Sequence, residues 1–72
     1  MFRYKNVNGN SNIEAYEIGS DYIDVKFFNT YKIYRYSYRS AGEYNVERAK
    51  QLAMQGYGLN SFIMREMRYS YE

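Results

Sequence analysis

The chain has neither cysteine nor histidine among its 72 residues. Without cysteine there is no disulfide staple, no thiolate nucleophile and no thiolate metal ligand. Without histidine the commonest metal ligand is gone, together with the one side chain whose unperturbed titration falls near neutrality. A hydroxyl nucleophile at Ser37, Ser61 or Ser70 would have no imidazole to activate it. Asp21 and Asp24 read as solvated acids, because the dense oxygen-ligand pattern of a calcium loop is missing. Proline is absent as well; with 46% hydrophobic residues, that argues against disorder. No run is long and apolar enough to cross a bilayer. The opening Met1-Phe2-Arg3-Tyr4-Lys5 is not followed by the apolar stretch of a signal peptide. These absences lead us to expect a cytoplasmic, non-enzymatic protein with no cofactor, no metal and no membrane partner.

Phenol rings are abundant: there are eleven tyrosines and four phenylalanines. A domain of this length buries only about 60% of the surface its unfolded chain exposes, so its core must be unusually good. Aromatic bulk supplies one way to build it, since each ring buries a large area. Three of the tyrosines alternate in Tyr34-Arg35-Tyr36-Ser37-Tyr38. Period two is the signature of a strand, whose neighbouring side chains leave on opposite faces.

Charge is unevenly placed along the chain although the net charge is only +2. Residues 1–24 hold Arg3 and Lys5 against Glu14, Glu17, Asp21 and Asp24. No acid lies between Asp24 and Glu43, whereas Lys26, Lys32, Arg35 and Arg39 all do. Residues 43–72 balance four bases with four acids. The basic segment is also the tyrosine-rich one. Basic and aromatic side chains together on a sheet suit single-stranded nucleic acid. The plainer reading is a solvated strand whose lysines blunt an exposed edge.

The patterning predicts an α+β domain, with an antiparallel meander of about three strands packed on one side by a C-terminal helix and a second short helix. Residues 1–11 read as a loose arm, rich in Asn, Gly and Ser in their second half. The sheet is expected over 12–39: Asn12–Ile18, then Tyr22–Phe28, then Tyr31–Tyr38, with a tight turn at Asn29-Thr30. Helices are expected over 45–67. Asn45 would cap the first, whose apolar stripe is Val46, Ala49, Leu52 and Ala53. Gly56 would end it in the left-handed conformation. Asn60 or Ser61 would cap the second, with Leu59, Phe62, Ile63 and Met67 facing inward. The tail from Arg68 reads as loose.

The direction of the tyrosines decides where a ligand can bind. Were they to face outward, strand three would offer the core Ile33 and an unpaired guanidinium, at a cost of several kcal/mol. Facing inward, Tyr34 and Tyr36 pack over the small residues of the helix stripe, and Arg35 reaches water. On that reading the outer face carries Asp24, Lys26, Ile33 and Arg35, with Tyr22, Phe28 and Tyr31 near its edges.

The order of these pieces resembles the KTSC domain, a small bacterial module named for its occurrence at the C-terminus of some lysyl-tRNA synthetases. The residues that carry the likeness are Ser11 and Ile13, Val25 and Phe27, and Tyr34 and Tyr36. Ala53, Gly56, Gly58, Leu59, Asn60, Phe62 and Ile63 complete it. Thr30 stands where many members have glycine. The two tyrosines fall about one residue late from Phe27, an offset that a bulge in the hairpin would absorb. The resemblance implies a structural motif at Tyr34, Tyr36, Gly58 and Asn60, and RNA as a ligand through the synthetase context. Two functions are therefore expected to compete. One is an RNA-binding module using Lys26, Lys32, Arg35 and Arg39 for phosphates and Tyr31 for stacking, with Lys32 at a strand end or rim. The other is a protein-interaction or self-associating module that uses an exposed sheet edge or face.

Overall fold

The alternation in Tyr22–Phe27 turns Ile23 and Val25, both completely buried, to the core, and Asp24 and Lys26 to the other face, where Lys26 is partly exposed and Asp24 is covered by its neighbours. This strand, β3, lies in a four-stranded antiparallel meander in the computed structural model, which describes all 72 residues. The strands are β1 (Phe2–Arg3), β2 (Ile13–Ile18), β3 (Tyr22–Phe27) and β4 (Ile33–Ser37), in that spatial order. Three helices follow: α1 (Tyr38–Ala41), α2 (Glu43–Gln55) and α3 (Leu59–Glu66). The helices supply Val46, Ala49, Leu52, Ala53, Leu59, Phe62 and Ile63 to a core shared with Ile13, Ile23, Val25 and Tyr36. The expected α+β architecture is present, and the sheet gains one strand.

That additional strand corrects the reading of residues 1–11 as a loose arm. Phe2 and Arg3 pair with Tyr16 and Ala15, and the Tyr4 N–H extends the ladder to the Glu14 carbonyl at 2.9 Å. Tyr4 is 3% exposed, and its hydroxyl accepts the N–H of Leu59 at 3.4 Å. That amide is one of the donors a helix start leaves without an intrahelical partner. Farther on, the Val7 N–H donates to the Gly56 carbonyl at 2.8 Å. A buried ring and two long-range hydrogen bonds therefore outweigh the polar composition of the segment.

The register irregularity lies in β2 rather than in the β3–β4 hairpin. Pairing shifts between Ile13 and Ala15, and β3 pairs β4 without interruption from Tyr22↔Ser37 to Lys26↔Ile33. The bulge lets Ile13, Tyr16 and Ile18 share the core side of the sheet, although their spacing is not strictly alternating. The connection between β3 and β4 is correspondingly longer than the expected two-residue turn, because Phe27 pairs with Ile13 of β2 and leaves β4. Asn29 takes φ 66° there, a conformation that asparagine tolerates better than most residues.

Two expected helix caps also move. Asn45 lies inside α2, where its side-chain amide donates to the Ala41 carbonyl at 3.0 Å. Neither Asn60 nor Ser61 caps α3, which begins after Gly58 at φ 85°. The stretch Ser40-Ala41-Gly42 does not simply break the strand. Ser37 accepts from the Ser40 N–H, and the Ser40 hydroxyl accepts from the Ser37 N–H, a reciprocal cap that starts α1 at Tyr38. Tyr38 consequently leaves the strand alternation. Gly56 ends α2 at φ 88° as expected.

Candidate functional site

Tyr36 is 1% exposed and Tyr34 is half-buried, both on the core side of the sheet. The inward direction expected for the pair is thus the one observed. Tyr34 meets Phe27 edge-on at 5.5 Å, and Tyr71 meets Tyr34 edge-on at 4.8 Å. Tyr71 also approaches Tyr36, at 6.3 Å and perpendicular to it. Such tilted arrangements suit the quadrupoles of aromatic rings. The tail expected to be loose is therefore held in place. Its Glu72 N–H donates to the Arg35 carbonyl on the outer edge of β4 at 2.8 Å, and its Ser70 N–H to the Met67 carbonyl at 3.0 Å.

The tail, the β3–β4 connection and α3 together enclose a groove of about 440 Å³. Its aromatic wall consists of Phe27, Phe28, Tyr34, Tyr36, Tyr69 and Tyr71. Asn12, Thr30 and Asn60 add polar groups, Met64 adds a flexible apolar one, and Arg68 is the only charged residue in the lining. Lys32 stands over the rings of Tyr34 and Tyr71, with Nζ 4.7 and 4.9 Å from their centres. The groove therefore joins π surface to two cations and contains no carboxylate.

The other basic residues expected to bind phosphate are disposed differently. Arg35 makes a bidentate pair with Asp24, at 2.8 and 3.0 Å, and its guanidinium lies 3.8 Å over the Tyr22 ring. The hydrogen bond to Asp24 holds Arg35 more firmly in its charged form than usual. Asp24 is only 8% exposed beneath this pair. Lys26 is paired with Glu14 of the neighbouring strand. The absence of acids within the segment around β4 is thus deceptive, since β2 and β3 bring Glu14 and Asp24 across the sheet to neutralise it. Arg39 sits on α1 at the far end of β4 from Lys32, beside Glu72. Tyr31 is 99% exposed at the β3–β4 connection, adjacent in sequence to Lys32 and to the groove residue Thr30. Of the five residues, only Lys32 reaches the groove, over its Tyr34 and Tyr71 rings; Lys26, Tyr31, Arg35 and Arg39 do not line it, and Tyr31 lies instead with Lys26, Asn29 and Thr30. Gly58 starts α3, and Asn60 follows it into the groove wall.

Arg68, Tyr69 and Tyr71 escape a reading of local composition because short polar tails are usually loose. One signal was available: Tyr69-Ser70-Tyr71 repeats the alternation of Tyr34-Arg35-Tyr36, and the two segments meet in space through Tyr71.

A second polar cluster fastens the other end of the sheet to α2. The Tyr38 hydroxyl donates to Glu47 at 2.6 Å, and Lys50 reaches the same carboxylate oxygen at 2.8 Å. Lys50 also donates to the Ser20 carbonyl in the β2–β3 turn at 3.1 Å. The Glu47 carboxyl is held below its ordinary value by hydrogen bonds from Lys50 and Tyr38. The hydrogen bond to Glu47 pushes the Tyr38 phenol up to about 12, and burial does the same to Tyr36. Burial raises the Tyr4 phenol as well, so the folded protein retains protons on Tyr4, Tyr36 and Tyr38 that the unfolded chain releases from about pH 10 upward. Stability should be intact below pH 10 and fall as pH rises toward about 12. Tyrosinate absorbance and far-ultraviolet circular dichroism, followed together, should show the last phenols ionising as structure is lost. Complete ionisation with the dichroism unchanged would contradict this coupling.

No group of three or more carboxylates converges as a metal site would require. No helix is long and apolar enough to cross a membrane. Comparisons of the chain with protein-family models, curated proteins and solved structures found no match.

Proposed function

We propose that this protein is a small, non-enzymatic binding module for single-stranded RNA and that the aromatic groove is its binding site. The observation that carries this reading is the coincidence of five accessible aromatic rings (Phe27, Phe28, Tyr34, Tyr69 and Tyr71, backed by the buried Tyr36) with Arg68 and Lys32 around one concavity with no acid in its wall. Aromatic faces accept any base, at roughly 1–3 kcal/mol per stacked base. Cations at the same place attract the phosphates that follow. The likeness to the KTSC domain agrees with this reading through its tyrosine pair and Asn60, which meet at the groove. It also makes RNA the ligand to try first. Relative to the sequence expectation, the ligand moves from the reverse surface of the sheet to the side where the tyrosines gather.

Fluorescence anisotropy with a labelled single-stranded RNA tests the proposal. Binding is expected between about 1 and 100 µM, the range typical of weak electrostatic association. Two phosphate contacts should give a log–log salt slope of roughly −1.4. Replacing Lys32 and Arg68 together by glutamate should weaken binding roughly tenfold or more and remove most of that slope. Arg39→Gln, which removes a charge at the far end of β4 from the groove, should change affinity little. The proposal fails if low salt reveals no binding, or if Arg39→Gln matters more than the groove double variant.

One observation favours self-association as a second reading: the tail contributes a single backbone hydrogen bond to the outer edge of β4, at Arg35. The rest of that edge can pair with a strand from another chain. Sedimentation velocity over a range of concentrations distinguishes the two, since an RNA module working alone stays monomeric.

A further inference from the structure

The shape of the groove limits how much ligand it can hold. Sheet platforms that read several bases spread their aromatic side chains over an open face. Here the rings turn toward one another. Tyr34 is edge-on to both Phe27 and Tyr71, at 78° and 85°, so no flat row of parallel faces is left for successive bases. The volume of about 440 Å³ lies at the lower end of the roughly 300–1,000 Å³ of small-ligand pockets. Asn12, Thr30 and Asn60 lie along the same wall and bring groups that both donate and accept hydrogen bonds. Base edges require such groups, and a purely apolar cleft lacks them.

Building on the RNA reading, we infer that the groove takes one unpaired nucleotide, whose base enters between the aromatic walls and whose phosphate is drawn to Lys32 and Arg68. Lys32 serves as the gate residue. Its ammonium now rests over Tyr34 and Tyr71, and a phosphate offers it a stronger, charge-assisted partner. Release of the ammonium bares the two ring surfaces when the base arrives. Arg68 lies near the Tyr69 ring, 5.7 Å from its centre, and can turn to the same phosphate. The nucleotide can be a free monophosphate or an unstacked position in an RNA strand, and the chemistry is common to both.

A length series separates these cases. Titrations with adenosine and uridine monophosphates, monitored by amide chemical shifts, should perturb residues around Phe28, Asn60 and Tyr71. Oligoribonucleotides from dimer to dodecamer should then show affinity levelling off by the dimer, once the statistical increase in sites is removed. Tyr71→Ala should weaken the monophosphate by roughly five- to over a hundredfold, the range expected for one lost stack. If that variant fails to fold, Tyr69→Ala replaces it, since Tyr69 is largely exposed. Affinity that rises steadily to the dodecamer, with no response to monophosphates, overturns the single-nucleotide site and leaves the RNA reading intact. Monophosphate binding without any oligomer binding keeps the site and overturns RNA as its source. No response to either class of ligand overturns both.

Discussion

Tyr36→Ala should cost about 3–5 kcal/mol of folding stability, as other large aromatic truncations in cores do. A domain of this size has only about 4–11 kcal/mol in total, so the change would remove a large fraction of its stability. The ring is completely enclosed, between the sheet side of α2 and the edge of Tyr71. Removing it leaves a cavity that small neighbours such as Ala49 and Ala53 cannot fill. Tyr36→Phe keeps the volume and should cost about 1 kcal/mol or less, because only the hydroxyl is lost. The same conservative change removes one of the three phenols whose elevated titration makes the protein sensitive to alkali. Urea denaturation of both variants at neutral and high pH measures the two effects separately. An alanine variant as stable as the parent would show that the tyrosine strand is not a core element at all.

Gly56→Ala should be nearly as damaging, at about 2–5 kcal/mol, from two causes that add. The residue ends α2 at φ 88°, where an L side chain is disfavoured by roughly 1–2 kcal/mol. An added methyl would also lie 2.7 Å from Cβ of Lys5 and 3.2 Å from Cγ2 of Val7. Because a Cβ atom is fixed to its backbone, relief requires the N-terminal segment to move away, and overpacking of this kind costs about 1–3 kcal/mol. Movement would break the Val7-to-Gly56 hydrogen bond and loosen the segment that seats Tyr4 in the core. Amide hydrogen exchange should therefore show β1 and the Tyr4 region losing protection before α2 does. Gly42→Ala is the contrasting control: φ is also positive, at 91°, but nothing lies within 4 Å of the added methyl. It should bear the backbone penalty alone and leave the arm undisturbed.

The two substitutions also mark where sequence reasoning succeeded and where it did not. Tyr36 was legible because strict alternation in β4 leaves just two directions, and an unpaired buried Arg35 makes one of them costly. Leu59, Phe62, Ile63 and Met67 were legible for a similar reason, since helical spacing and apolarity agree. The seat for residues 4–7 was not. It depends on Leu59 offering a free amide to Tyr4 and on Gly56 offering a carbonyl to Val7, partners about fifty residues away in sequence. The bulge in β2 was likewise hidden, because only its pairing with Phe27 and Lys26 reveals it. The groove combines both situations. Tyr34 and Lys32 could be placed from parity, but Tyr71 joins them through a chain reversal that composition does not announce. On the outer sheet face Asp24, Lys26 and Arg35 were all placed correctly, but their pairing was not: Asp24 takes Arg35, and Glu14 arrives from β2 to take Lys26.

That pairing has a kinetic meaning. Bidentate and cross-strand partners leave the outward pairs Arg35–Asp24 and Lys26–Glu14 with little far field, so the field is set by cations without a carboxylate partner, Lys32 and Arg68 among them. On the proposed RNA reading, such cations would speed encounter with a polyanion at low ionic strength without lengthening the lifetime of the complex.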